Sequence, residues 1–181
     1  PGDDPALNGI AELYSMRNGV LERSQEVSLS EPSDHIKRIM VSRLHGGSPA
    51  VYVASSADGK TIITDIFAIK SGEFTNISFS NESGTSVRTL RNYYVYADDV
   101  DDDGILELPS LITMASTFPD GQEDQYLIRW FAMDLAGREV DKLYSFHNFA
   151  GGWYVCLDNS WATLLSVEKS GDAYRFSVWD S

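Results

Sequence analysis

The chain is poor in cysteine, basic residues and helix signals, and it has no long apolar run. One cysteine in 181 residues cannot build an intramolecular disulfide framework. Cys156 lies in Trp153-Tyr-Val-Cys-Leu157, an apolar strand-like run. It is expected to be a small buried hydrophobe, since a reactive thiol needs an electropositive setting. Lys and Arg number 14 against 27 Asp and Glu, a net charge of −13. Without a basic stripe to neutralise phosphates, nucleic acid is excluded as an expected partner, and an anionic membrane surface is disfavoured. No apolar run reaches the length of a membrane span or signal peptide. None of His35, His45 and His147 has a second His or Cys at metal-ligand spacing, so zinc is not expected. There is no Gly-x-Ser-x-Gly elbow, and no Ser/His/Asp set assembles from the sequence.

What is present is a folded β protein. Hydrophobic residues make up 43% of the chain and aromatics 12%, enough for a real core. Pro1-Gly-Asp-Asp-Pro5 reads as exposed linker, and residues 1–9 are assigned as linker before one β domain over 10–181. The missing initiator Met suggests a fragment or a mature form whose upstream targeting segment has been removed. Short runs rich in Val, Ile, Tyr, Phe, Trp and Thr alternate with Gly, Asn, Asp and Ser, the signature of strands and turns. Tyr14 and Phe67 each stand five residues before a glycine, Gly19 and Gly72, with Arg17 and Lys70 two before it. Phe131 precedes Gly137 in the same way with one residue inserted, and a looser copy surrounds Gly171. These glycines fit hairpin turns that demand positive φ. If the hairpins are equivalent, Tyr14, Phe67 and Phe131 lie at matching depths.

Ile39–Val53, Tyr93–Leu108 and Phe146–Leu157 read as strand-turn-strand segments between the hairpins. The whole is an all-β antiparallel meander of propeller-blade-like four-stranded units, two or three degenerate repeats forming a partial propeller or a sandwich. A stretch over Leu7–Arg23 has some amphipathic character, but Asn18-Gly19 breaks it and strand is the assignment. Ser30–Asp34 and Ser116–Asp124 read as loops by composition.

Carboxylates crowd one loop: Asp98, Asp99, Asp101, Asp102, Asp103 and Glu107. The order Asp99-Val-Asp101-Asp-Asp103-Gly104-Ile-Leu-Glu107 is that of a calcium-binding loop. Alternate side chains converge on an ion from positions 1, 3 and 5, Gly104 permits the sharp turn at position 6, and position 7 offers a backbone carbonyl. Such crowding is costly unless a cation neutralises it or water screens it. An EF-hand is excluded, because position 12 is Ser110 after Pro109 and the flanks read as strands. Asp102, at position 4, is expected to face solvent.

Asp-x-Asp-x-Asp-Gly-x-x-Glu between two strands resembles the calcium loop of FG-GAP/VCBS-type repeats, found in integrin α-chain propellers and many secreted bacterial proteins. The resemblance implies Ca2+, with Asp99, Asp101, Asp103 and Glu107 as side-chain ligands and Ile105 as the carbonyl ligand. The close match is confined to this loop. The other turn segments carry Gly46-Gly47 and Gly151-Gly152 where acids would stand. The wider chain, with Arg129-Trp-Phe-Ala-Met-Asp and Tyr144-Ser-Phe-His-Asn-Phe-Ala-Gly-Gly-Trp-Tyr154, is similar to secreted lipoproteins of clostridial bacteria. That likeness implies a cell-surface location with a lipid anchor upstream, and it carries no known activity.

Among the aromatics, Trp130 and Trp153 sit inside strands and are expected in the core, whereas Trp161 is the candidate for exposure; Trp179 completes the set. Asn76-Ile-Ser78 and Asn81-Glu-Ser83 fit the glycosylation triplet. The expected role is a non-catalytic extracellular binding module with one structural calcium and a protein or glycan partner. Asp158, Trp161, Glu168 and Asp172 mark the region where such a partner would dock. The alternatives are a secreted hydrolase acting on polysaccharide and a structural spacer without ligand. A hydrolase needs two converging acids away from the crowded loop, because a general acid must be an isolated, desolvated carboxyl.

Overall fold

The computed structural model describes residues 8–33, 35–56, 58–116, 126–161, 164–171 and 173–178. Among them lie thirteen strands, two single-turn 3-10 helices (Val87–Thr89 and Asn159–Trp161) and no α-helix. The chain divides into two compact units, one running to Leu108 and including Ala132–Val140, the other holding Pro109–Phe131 and the residues from Asp141.

The first unit opens with a long hairpin, β1 (Asn8–Arg17) and β2 (Val20–Pro32). A four-stranded antiparallel sheet follows in chain order: β3 (His35–Arg43), β4 (Pro49–Ser56), β5 (Ile63–Lys70) and β6 (Glu73–Asn76). The turns obey the sequence chemistry. Asn18 and Gly19 have φ of 51° and 79°, Ser71 and Gly72 of 53° and 84°. Two successive positive φ values give the turn twist that matches paired strands. β4 and β5 are the inner strands, and their apolar residues are buried accordingly. Leu29 of β2 joins Val53 and Phe67 in one core cluster, flanked by Ala11, Val27, Val51 and Phe74, so the hairpin covers part of the sheet. Each such side chain contributes about 1.5–3 kcal/mol when fully buried.

Side chains, besides this apolar contact, tie hairpin to sheet. Gln25 of β2 donates from Nε2 to the Gly72 carbonyl (3.0 Å) and accepts the Phe74 N–H (2.5 Å), standing in for a strand at the β6 edge. Asp65 on β5 is fully buried. It accepts the Ser30 N–H of β2 at 3.0 Å, the Asn76 amide at 2.7 Å and the Ser86 hydroxyl at 2.5 Å. Arg91 is also buried, donating to Val95 O, Thr89 O and Thr64 Oγ1. Desolvation draws its pKa down to about 10.

The second unit is carried by two sheets. One has the order β11-β10-β9-β7, from β7 (Leu108–Thr113), β9 (Tyr126–Met133), β10 (Glu139–Asn148) and β11 (Trp153–Leu157). The other has the order β13-β12-β8, from β8 (Ala115–Ser116), β12 (Leu165–Ser170) and β13 (Ala173–Val178). Met114, Leu127, Phe146, Leu165 and Val167 form the core here, and Phe146 meets Phe176 edge-on at 5.1 Å.

The all-β antiparallel meander is therefore the architecture, and β8 pairs with β12 in parallel. Some local expectations are corrected. Phe67 and Phe131 are buried at 1% and 0% exposure, but Tyr14 is 46% exposed. Alternation along β1 turns Ala11 inward and sends Ile10, Glu12, Tyr14 and Met16 to solvent. Ser30, Glu31 and Pro32 belong to β2 rather than a loop, and Ser116 to β8, while 117–124 lie outside the described residues. Asn8 and Gly9 begin β1, whereas 1–7 lie outside the described residues. Tyr93–Tyr96 is not a strand: the Val95 N–H bonds to Tyr93 O, and its carbonyl is taken by Arg91, so no ladder forms.

Asp65→Ala leaves three donors without their acceptor in a dry interior and is expected to cost roughly 3–5 kcal/mol in urea unfolding. Ser24→Ala, at an exposed hydroxyl, serves as the near-neutral control. A cost below about 1 kcal/mol for Asp65→Ala would remove this network from the account.

Candidate functional site

The acidic loop belongs to the first unit and closes on itself through one antiparallel bridge. Asp98 N–H donates to Glu107 O at 3.1 Å, and Glu107 N–H to Asp98 O at 2.8 Å. Within that ring Asp99 organises the turn. Its Oδ1 accepts the Asp103 N–H at 3.0 Å and its Oδ2 the Gly104 N–H at 2.9 Å. Asp102 and Gly104 take φ of 59° and 80°, which lets the chain reverse sharply. Asp102 faces solvent, as position 4 of the loop requires. The loop is anchored to β3: Ser42 donates to the Gly104 carbonyl at 3.2 Å, and Ile105 bridges Arg43 in parallel.

This geometry brings Asp99, Asp101 and Glu107 together. One carboxylate oxygen from each lies within 4.8 Å of the others, an arrangement that can hold a metal ion. Asp99 is half-buried, Asp101 exposed and Glu107 wholly buried. Glu107 accepts the Val100 N–H at 3.0 Å through Oε2. Tyr52, itself buried, has its phenol pKa pushed up by desolvation first and by the nearby charge of Glu107 second. Asp103 and Ile105 are in the same loop but outside this three-carboxylate group. Asp103 is exposed and its Oδ1 accepts the Ile105 N–H at 2.9 Å. The sequence order located the loop. The depth of Glu107 and its neighbour Tyr52 come from the fold, with no local signal beyond the apolar residues around them.

Other sequence candidates separate. Cys156 is exposed, contrary to expectation. β11 is an edge strand, and an apolar run on an edge reads in sequence like one in a core. Trp130 is buried at 5% exposure, as expected, whereas Trp153 is 39% exposed for the same edge reason. Trp161 is exposed at 48%, and Trp179 lies outside the described residues. Asp158 and Glu168 are exposed, while Asp172 lies outside the described residues. Asn76 is buried with its amide bound to Asp65, so only Asn81 of the two glycosylation triplets is exposed.

A second feature had only a faint sequence signal, the two-residue spacing of His147 and Phe149. His147 faces Tyr154 across β10–β11, their rings 5.2 Å apart at 14°. Phe149 stacks on the same imidazole at 5.5 Å and 24°. Beneath them Trp130 Nε1 donates to Ser145 Oγ at 2.8 Å, and Ser145 Oγ lies 2.8 Å from His147 Nε2. An indole can only donate, so the Ser145 hydroxyl accepts from Trp130 and shares a second hydrogen bond with Nε2 of His147. Ser145 is buried at 1% exposure, so this Ser–His pair offers no accessible nucleophile.

No protein-family model, curated protein or solved structure matches this chain.

Burial lowers the His147 pKa from 6.5. The folded state thus binds this proton less readily than the unfolded chain. Its stabilising contribution is whole above 6.5 and is lost as pH falls from there through the lower folded value. The urea midpoint is expected to drop between pH 7 and 5, and less so in His147→Asn. An equal drop in both proteins would rule His147 out as the group responsible.

Proposed function

We propose that this chain is a non-catalytic binding module of the cell exterior, stiffened by one calcium ion in the loop Asp99–Glu107. The observation that carries the reading is the convergence of three carboxylate oxygens within 4.8 Å, one of them from the fully buried Glu107. Negative charges so close repel one another, and the burial of Glu107 adds to the cost. A divalent cation removes both penalties at once.

The donor chemistry favours calcium. All candidate ligands are oxygens, with no imidazole or thiolate of the kind zinc and copper prefer. Carboxylates and a backbone carbonyl on a loop, with room for water, suit the larger and more variable coordination of calcium better than the strict octahedron of magnesium. On this reading Asp99, Asp101, Asp103 and Glu107 supply side chains and Ile105 its carbonyl, following the FG-GAP/VCBS-type resemblance. Asp103 would turn from Ile105 N–H toward the ion. Extracellular calcium modules work with dissociation constants of about 10⁻⁴–10⁻³ M, a range that a partly exposed loop fits. A surface location with an upstream lipid anchor accords with the likeness to clostridial lipoproteins. The ion is structural here: it braces a loop pinned to β3 and leaves the chain free to present surfaces elsewhere.

Calcium at a hundredfold excess over its dissociation constant is expected to add about 2.7 kcal/mol of stability, a rise of about 5–10 °C in the melting temperature against chelator. Asp101→Asn should abolish the difference and Asp102→Asn preserve it. Superimposable melts with and without calcium would refute the site.

A further inference from the structure

We propose that the aromatic face of the β10–β11 hairpin is a stacking subsite for an uncharged polysaccharide. The proposal rests on the binding-module reading, but it uses none of the loop's geometry. The segment Phe146–Leu157 contains no Asp, Glu, Lys or Arg, in a chain that is 23% charged and carries −13 overall. On its outer side stand Phe149 at 68% exposure and Tyr154 at 66%, with His147 between them. Large rings left in water forgo the stabilisation that burial would bring, so such a cluster marks a place where something else docks.

The rings are built as a platform. Centroid separations of 5.5 and 5.2 Å at small interplanar angles describe offset stacking, in which each ring keeps part of its face free. The middle ring is held from below by the chain Trp130–Ser145–His147, whose first two members are buried. Trp153 points to the other side of β11, where it meets Phe146 and Tyr174 and stiffens the hairpin. A preorganised surface of this kind loses little side-chain entropy on binding.

The chemistry of the platform selects the ligand. A pyranose offers a flat C–H face for an aromatic ring and a rim of neutral hydroxyls. The second ring nitrogen of His147, Nδ1, and the Tyr154 hydroxyl are neutral polar groups beside the rings, with no protein partner among the described residues. Within Phe146–Leu157 a charged ligand finds no countercharge. An anionic polymer would in addition meet the repulsion of a strongly acidic chain. A neutral glycan matches on both counts.

Affinity electrophoresis of the intact chain through gels containing neutral β-glucan, xylan or mannan tests the idea, with polygalacturonate as the charged control. At least one neutral polymer should retard the protein. Phe149→Ala and Tyr154→Ala should each weaken retardation at least tenfold, with melting temperature and calcium response unchanged. No retardation by any neutral polymer, or retardation that survives both substitutions, would overturn the proposal. So would self-association in sedimentation abolished by the same substitutions, since the face would then belong to a second copy. Calcium stabilisation without glycan retardation would remove only this subsite, whereas retardation without a calcium response would remove only the calcium reading.

Discussion

Close approach of three carboxylates is the constraint around which the acidic loop of the first unit is arranged. Asp99, Asp101 and Glu107 converge within 4.8 Å, and the last of them is shut away from water. The backbone meets that constraint partway. Val100 N–H binds Glu107, while Asp103 and Gly104 N–H groups bind Asp99. Hydrogen bonds of this kind satisfy the carboxylate oxygens without separating the acids. The turn at Asp102-Gly104 and the anchor on β3 keep the acids converged, an arrangement that could hold a metal ion.

Asp65 shows the other way this protein houses a buried carboxylate. Its partners are an amide, a hydroxyl and a backbone N–H, each contributed by a different segment. No second acid faces it in those contacts. The carboxylate therefore acts as a joint between β2, β5 and the segment after β6. The two buried acids share a unit but not a setting: one fastens the layers, the other belongs to a group of carboxylates that could hold a metal ion. In the second unit the polar chain under His147 plays the fastening part, with Trp130 and Ser145 fixing a ring that leaves its neighbours exposed.

The fold was legible where the chemistry is local. Asn18-Gly19 and Ser71-Gly72 require a backbone that only a tight hairpin supplies, and alternation between such turns yields paired strands. The acidic loop was legible for the same reason, since Asp99, Gly104 and Glu107 act through their spacing. Depth was less legible. Tyr14 has the same spacing to its turn glycine as Phe67, yet its hairpin sends that side to solvent. Cys156 and Trp153 sit in an apolar run whose position at a sheet edge depends on the whole strand order. Tyr93–Tyr96 looks like a strand by composition, but Arg91, distant from any acid in its hydrogen bonds, uses the carbonyl that a neighbour would need. The stack of Phe149, His147 and Tyr154 depends on cross-strand register, which no single segment declares.

Terbium luminescence tests the central claim most directly, because the lanthanide takes calcium's oxygen ligands and is excited through nearby tyrosines such as Tyr52. Sensitised emission is expected to saturate at one ion per chain, yield to excess calcium and vanish in Asp99→Asn. Emission that calcium fails to displace, or that persists undiminished in Asp99→Asn, would contradict it.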